Sequence, residues 1–457
     1  MDNVLKKAQP STRLGRLFSN KDLLHLFFPL VIEQILVISV GMADSMMVAS
    51  LGEAAVSGVS LIDHIGVLLN LVFVALATGG SVIIGQYMGR GDLDKAREGG
   101  RQLIWLTGIV SLVLMVAFYA SKSFIFAKLF GSSSPDVIEN ATEYMMVLGT
   151  TIPFMALFQG GSAVFRTAGN TKLPMLTVVL MNILNIIGNG LSVFVLGWGV
   201  TGVALSTLNS RIVSVIIILY CGRKYKFRLQ IPPLLKVRLN LDLIKKMLQV
   251  GIPFSIENGL FQLGKIVVLS LVTTFGTGAI AANAVGNLIG GFEVIPGLAI
   301  NAGMTTVIAR CIGARDLEQS KYYTKKIIGV VIGANIIVSG IIFALWPLIN
   351  RIYSLPESTM NLVWLITWTH AIFEIFTWPF SFTLPVTFRA AGDAKFAMCV
   401  GVFTMVVFRI GGAYILCGPL GFGMFGAWLA MYLDWAVRAI VYIWRYASGK
   451  YLQHQLI

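Results

Sequence analysis

The sequence predicts an all-α membrane protein with twelve transmembrane helices in two six-helix bundles, related by a pseudo-two-fold axis along the membrane normal. Three observations predict it. The 457-residue chain is 56% hydrophobic and only 12% charged, against about 25% charged in a soluble protein. Next, Pro29-Leu30-Val31-Ile32-Glu33 returns 224 residues later as Pro253-Phe254-Ser255-Ile256-Glu257. The same offset pairs Leu36 with Leu260, Gly52 with Gly276, Ala55 with Ala279, Gly89 with Gly313, and Asp92-Leu93 with Asp316-Leu317. Proline breaks a helical hydrogen bond and a carboxylate is expensive in hydrocarbon, so two copies in register mark a tandem of related halves. That arrangement is typical of secondary transporters, whose pathway runs between the repeats. Finally, lysine and arginine are segregated between alternate loops, as membrane topology requires.

Apolar segments long enough to span, at about 20 residues each, run over 23–48, 54–87, 102–120, 142–165, 174–196, 200–221, 248–274, 279–309, 327–347, 361–388, 395–417 and 423–445. They divide the chain into a tail (1–22), a first bundle (23–221), a linker (222–247), a second bundle (248–446) and a second tail (447–457). The two tails and the even-numbered loops hold 28 of the 35 lysines and arginines, while the odd-numbered loops hold only Lys122, Lys128 and Arg351. The positive-inside rule therefore makes both termini cytoplasmic. The linker is basic around Pro232-Pro233 and reads as a solvated connector that touches anionic lipid. The net charge of +14 is thus topology, and no nucleic-acid partner is expected. Cys221, Cys311, Cys399 and Cys417 have no paired spacing and read as free thiols. The first 20 residues lack an apolar core and are not a signal peptide.

The loops repeat as well. Gly89-Arg90-Gly91-Asp92 answers to Gly313-Ala314-Arg315-Asp316; glycine can end one helix and aspartate cap the next. Arg166-Thr167-Ala168-Gly169-Asn170 answers to Arg389-Ala390-Ala391-Gly392-Asp393, and Gly197-Trp198-Gly199 to Gly421-Phe422-Gly423. These read as architectural turns.

With these paired loops, the two six-span halves and the segment Gly41-Met42-Ala43-Asp44-Ser45-Met46-Met47-Val48, the chain resembles the multidrug and toxic compound extrusion (MATE) family over about residues 20–446. The resemblance implies an exporter that exchanges an inward Na+ or H+ gradient for outward movement of organic cations by alternating access. The expected partners are small, cationic substrates and membrane lipid, with the chain a monomer, multi-pass in the plasma or inner membrane, and no cofactor beyond the coupling ion.

Glu33 and Asp44 on the first span differ by about 20° in direction and ~16 Å in height. The resemblance makes Asp44 a coupling-cation or substrate-linked site; capping is the alternative. Asn182, Asn185 and Asn189 share a helix side and can offer oxygens to a cation or substrate, or join helices. One proton-coupled branch of the family has an acid where Asn189 stands. Glu257 matches a helix-7 glutamate that helps bind the coupling cation in another branch; the helix-10 acid of that branch aligns with Trp378, with Glu374 one turn earlier. Glu257, Glu374 and the Gln249 carbonyl freed by Pro253 would suit Na+, whereas two adjacent carboxylates would suit a proton; the balance tilts to Na+ near Glu257. Glu293, Lys265, Trp378 and Met46 are further substrate-pathway candidates, because aromatic rings bind cations and methionine adapts to varied shapes. Asp434 and Arg438 are spaced as a structural pair. Asp63, His64, Arg211 and Arg409 have no partner legible in the sequence, and His370 could titrate near neutral pH.

A lipid-linked precursor flippase of the wider fold group is the alternative, although such proteins often have two more helices and a basic central cavity. A membrane-embedded enzyme is disfavoured, since H-E-x-x-H, G-x-S-x-G and Walker motifs are missing. The charge segregation makes a topological prediction. In a cysteine-free background, single cysteines at Glu53 and Gly418 label from outside intact cells, and those at Lys95 and Lys236 label only after permeabilisation; the reverse pattern refutes the orientation.

Overall fold

A computed structural model describes residues 15–129, 134–224, 229, 239–454 and 456–457. Most of the basic linker, including Pro232-Pro233, and residues 1–14 of the first tail lie outside the described residues. Among the described residues every regular element is helical. The chain divides into two compact units, Met1–Gly251 and Ile252–Ile457.

In unit 1 the spans are α1 (Asn20–Ala49), α2 (Glu53–Arg90), α3 (Leu93–Ala120), α4 (Pro135–Thr167), α5 (Lys172–Gly190) and α6 (Gly199–Lys224). A π-helical stretch, Leu191–Val195, continues α5. The seventh span, α7 (Leu241–Thr273), begins in unit 1. Gly79 lets α7 come close: a Cβ there would lie 2.3 Å from the Met247 carbonyl oxygen. Unit 2 follows the same order with more breaks. The eighth span is α8 (Thr277–Glu293) and α9 (Ile295–Gly313), interrupted at Val294 ahead of Pro296. The ninth is α10 (Leu317–Ala344). The tenth is α11 (Glu357–Phe376), a π segment Pro379–Thr383 and α12 (Leu384–Ala391), bent by 51°. The eleventh is α13 (Ala394–Thr404), a π segment Met405–Gly411 and α14 (Gly412–Cys417). The twelfth is α15 (Phe425–Ala447). The breaks in the eighth and tenth spans lie beside Pro296 and Pro379; proline removes a ladder donor and clashes with the preceding turn.

Pro29 shows how such a loss is made good. It cannot donate to the carbonyl of His25 four residues earlier, and the Thr171 hydroxyl donates to that oxygen at 3.1 Å. In hydrocarbon each freed backbone group needs a partner, so the start of α5 is tied to the start of α1.

The repeated motifs meet in space. Glu33 on α1 pairs with Arg166 at the end of α4, and Glu257 on α7 accepts from Arg389 Nη1 at 3.0 Å at the end of α12. In both halves the Pro-x-x-x-Glu carboxylate thus takes the arginine of the Arg-x-x-Gly loop. The glycines are needed: Gly169 and Gly392 have φ of +94° and +98°, which side chains resist. The Gly-x-x-Asp loops also cap as expected, with Asp92 accepting from the Lys95 amide at 3.1 Å and Asp316 from the Gln319 amide at 3.0 Å. In the second copy Arg315 takes the left-handed position at φ 56° that Gly91 fills in the first.

Phe158, Phe165, Val178, Val215 and Ile218 form a core among α4, α5 and α6. In unit 2, Phe388, Tyr442 and Tyr451 pack together, and the Arg445 guanidinium holds Asp393 at 2.9 Å. The second tail is thereby seated on the end of α12.

Removing one partner from a buried ion pair strands the other charge, at about 3 kcal/mol or more. Glu257→Gln is therefore expected to lower the thermal unfolding midpoint of the purified protein by several degrees. The double replacement Glu257→Gln/Arg389→Gln recovers a substantial part of that loss. Equal losses in the single and double variants would show that the pair does not fasten α7.

Candidate functional site

Beyond the paired glutamates, unit 1 gathers polar groups on α1, α2, α4, α5 and α6. The Asn189 amide donates to Asp44 Oδ1 at 2.6 Å and to Asn185 Oδ1 at 3.2 Å. Asn185 in turn donates to the Thr207 hydroxyl at 3.1 Å. The three-and-four spacing of the asparagines, legible in the sequence, does line them up on the buried side of α5. Their tasks differ, however: Asn182 donates to the Leu36 carbonyl at 2.8 Å and acts as a strut to α1. Asp44 is only half-buried, and Asp63 and Arg211 act on it electrostatically. Asp63 is exposed and accepts from the Tyr144 hydroxyl at 3.0 Å. Arg211 Nη1 donates to Thr151 at 2.6 Å. Two carboxylates against one guanidinium leave this cluster net negative, and carboxylate and amide oxygens can hold a cation or a cationic group.

Unit 2 differs in kind. Glu293 Oε2, at the end of α8, contacts His370 Nδ1 on α11. Glu374, one turn beyond His370, accepts from the Asn335 amide at 2.9 Å and lies within electrostatic reach of Glu293. Both carboxylates are fully buried, and among the described residues Glu293 Oε1 and Glu374 Oε2 receive no hydrogen bond. Rings of Trp435, Trp428 and Tyr432 surround the imidazole at 5.4, 5.7 and 6.4 Å. Gly290 admits it, since a Cβ there would sit 3.1 Å from the ring.

Glu257 and Glu374, expected to share a cation, do not have each other among their hydrogen-bond or ion-pair partners within the described residues. Glu257 Oε1 faces Arg438 Nη1 at 3.9 Å while Oε2 holds Arg389. Arg389 is thus the close partner of that carboxylate, while the nearer acid to Arg438 is Asp434 at 3.0 Å. Glu33 is likewise occupied by Arg166. Trp378 is buried, its ring filling the space above Gly297, whereas Met46 is exposed on α1. Lys265 keeps an accessible side chain with Arg409 acting on it. Asp434 and Arg438 form the expected pair at 3.0 Å. The sequence reading missed the arginine partners of both glutamates, Asn335, and the tyrosine at Asp63. The recurrence of both motifs at nearly one offset was the signal that could have linked the first of these.

Comparison with known proteins agrees with this architecture. A family model described as MatE matches residues 29–191 and again 253–415, repeating the 224-residue offset. An uncharacterized transporter, YisQ, of Bacillus subtilis is 28% identical over 98% of this chain and 97% of its own. A probable multidrug resistance protein NorM of Thermotoga maritima is 26% identical over 94% of this chain and 93% of its own. Among solved structures, a crystal structure of MATE in the bent conformation superposes with a TM-score of 0.87 at 22% identity, covering 95% of this chain and 96% of the other. At that identity the likeness is one of fold.

The unit 1 cluster predicts a separation of charge from shape. Asp44→Asn keeps the side chain's size and a partner for Asn189 but removes the negative charge. Efflux of a cationic dye such as ethidium is expected to fall at least tenfold, with unchanged membrane insertion and thermal midpoint. Near-normal efflux removes Asp44 from the pathway.

Proposed function

The chain belongs to the MatE family, a family of multi-pass membrane transporters for drug and xenobiotic efflux, and from that premise we propose that it exports small organic molecules in exchange for inward-moving protons. The contact of Glu293 with His370, with Glu374 one turn away on the same helix face, carries the choice of ion. A carboxylate and an imidazole in contact can hold one proton and pass it between them, and chains of such groups serve as proton relays in membrane transporters. Burial behind an aromatic wall keeps that proton from exchanging freely with water. The family position of Glu257 favoured Na+, but Arg389 already pairs with that carboxylate. Gain or loss of a proton in unit 2 would change the net charge of a buried cluster, and a buried charge imbalance is costly enough to bias one conformation over another.

In unit 1 the half-buried Asp44 and exposed Asp63 would take a cationic substrate group, with Asn189 and Tyr144 fixing the carboxylates. Alternating access would then expose the cluster to each side in turn.

Purified protein in liposomes, loaded with ethidium, tests the coupling. An imposed pH gradient is expected to drive dye movement at equal Na+, and an imposed Na+ gradient at fixed pH to leave it at background. Glu293→Gln is expected to cut the pH-driven rate at least tenfold. Movement driven by Na+ alone, or an unaffected Glu293→Gln variant, overturns proton coupling through this cluster.

A further inference from the structure

Unit 2 holds a surplus of positive charge that neither the fold nor the proton relay uses. Glu257, Phe261 and Lys265 follow at four-residue intervals and so lie along one face of α7. Two π segments converge on that face: Arg409 belongs to Met405–Gly411 and Phe382 to Pro379–Thr383. π segments re-aim side chains and recur at functional sites. The Arg409 guanidinium lies 5.0 Å from the centre of the Phe261 ring. Arg438 lies 5.9 Å from that ring and 5.2 Å from Phe382. Phe261 and Phe382 meet edge to face at 5.9 Å.

The charges here do not balance. Arg389 is matched by Glu257 and Arg438 by Asp434, each at 3.0 Å. Arg409 is left with a distant share of Asp434 at 4.0 Å. Its Nε and Nη1 are buried and donate no hydrogen bond among the described residues. Beside it, Lys265 is accessible, and the charge that acts on it is the like charge of Arg409. Two cations held near each other within the membrane repel and are poorly solvated, and an anion between them would relieve both. A guanidinium fork binds an oxyanion with two parallel hydrogen bonds, and an ammonium adds a mobile point charge.

We propose that Lys265 and Arg409 form an anion subsite in unit 2, taking the carboxylate, sulfonate or phosphate of an aromatic substrate whose ring packs against Phe261 and Phe382. The inference deepens the reading of the chain as an exporter of small organic molecules and rests on it for the direction of transport, but not for binding. It enlarges the substrate class from organic cations to aromatic anions. Asp44 and Asp63 offer the opposite polarity in unit 1, so the two units carry recognition elements for groups of opposite sign.

Full-length protein in lipid nanodiscs, titrated with 5-carboxyfluorescein and separately with ethidium and read by fluorescence anisotropy, tests this. Wild type is expected to bind carboxyfluorescein saturably. Lys265→Gln is expected to shift the ratio of the two affinities at least tenfold toward ethidium, and Lys265→Arg to restore most of the loss. Arg409→Gln acts in the same direction. If that variant fails to fold, Lys265→Gln decides alone, because its side chain is accessible. Failure of wild type to bind carboxyfluorescein, or equal affinity in wild type and Lys265→Gln, overturns the subsite. Wild-type liposomes that move neither dye under any gradient overturn the exporter reading instead, and the binding result stands by itself.

Discussion

A carboxylate and a guanidinium, set once in each half, hold this protein's polar architecture in place. Glu33 with Arg166 and Glu257 with Arg389 are charges that hydrocarbon tolerates only as pairs. Each pair joins the middle of a proline-bearing helix to the end of another helix, just before a glycine whose left-handed backbone fixes the turn. The height and rotation of α1 and α7 are therefore set by electrostatics as well as by apolar packing, which is weakly directional between helices in lipid. At 1.5 Å per residue, Asp44 stands about 16 Å along α1 from the Glu33 pair, and Lys265 about 12 Å along α7 from the Glu257 pair. Each anchor thus sets the height of a candidate residue further along its own helix.

The sequence carried what is local or periodic. Apolar runs located the spans, and gap-free recurrence paired the halves, because both are properties of neighbouring residues. Asn182, Asn185 and Asn189 were read onto one helix side from their spacing alone. Contacts across the fold were not legible. Arg166 is 133 residues from Glu33 and Asn189 is 145 from Asp44, and nothing local joins them. Nor was the neighbour of Glu374 legible: its carboxylate accepts from Asn335, 39 residues away in the chain. Hydropathy also ran through the interruptions at Val294 and between Phe376 and Pro379, since a broken helix is as apolar as a straight one.

The repeat register shows how far two copies of one scaffold have diverged. At the 224-residue offset, Asp44 corresponds to Val268 and Asn185 to Arg409. Unit 1 thus has an acid joined to a chain of asparagines where unit 2 has a valine and an arginine. A point replacement of asparagine by arginine in hydrocarbon costs several kcal/mol unless partners appear. Some partners did appear: Phe261 and Arg438's acid, Asp434, lie nearby. They satisfy Arg409 only in part, since two of its nitrogens donate no hydrogen bond among the described residues. Arg389 and Arg438, by contrast, each hold a carboxylate at 3.0 Å. The residual demand of Arg409, with an accessible lysine beside it, is the physical reason to seek an anion in the second unit.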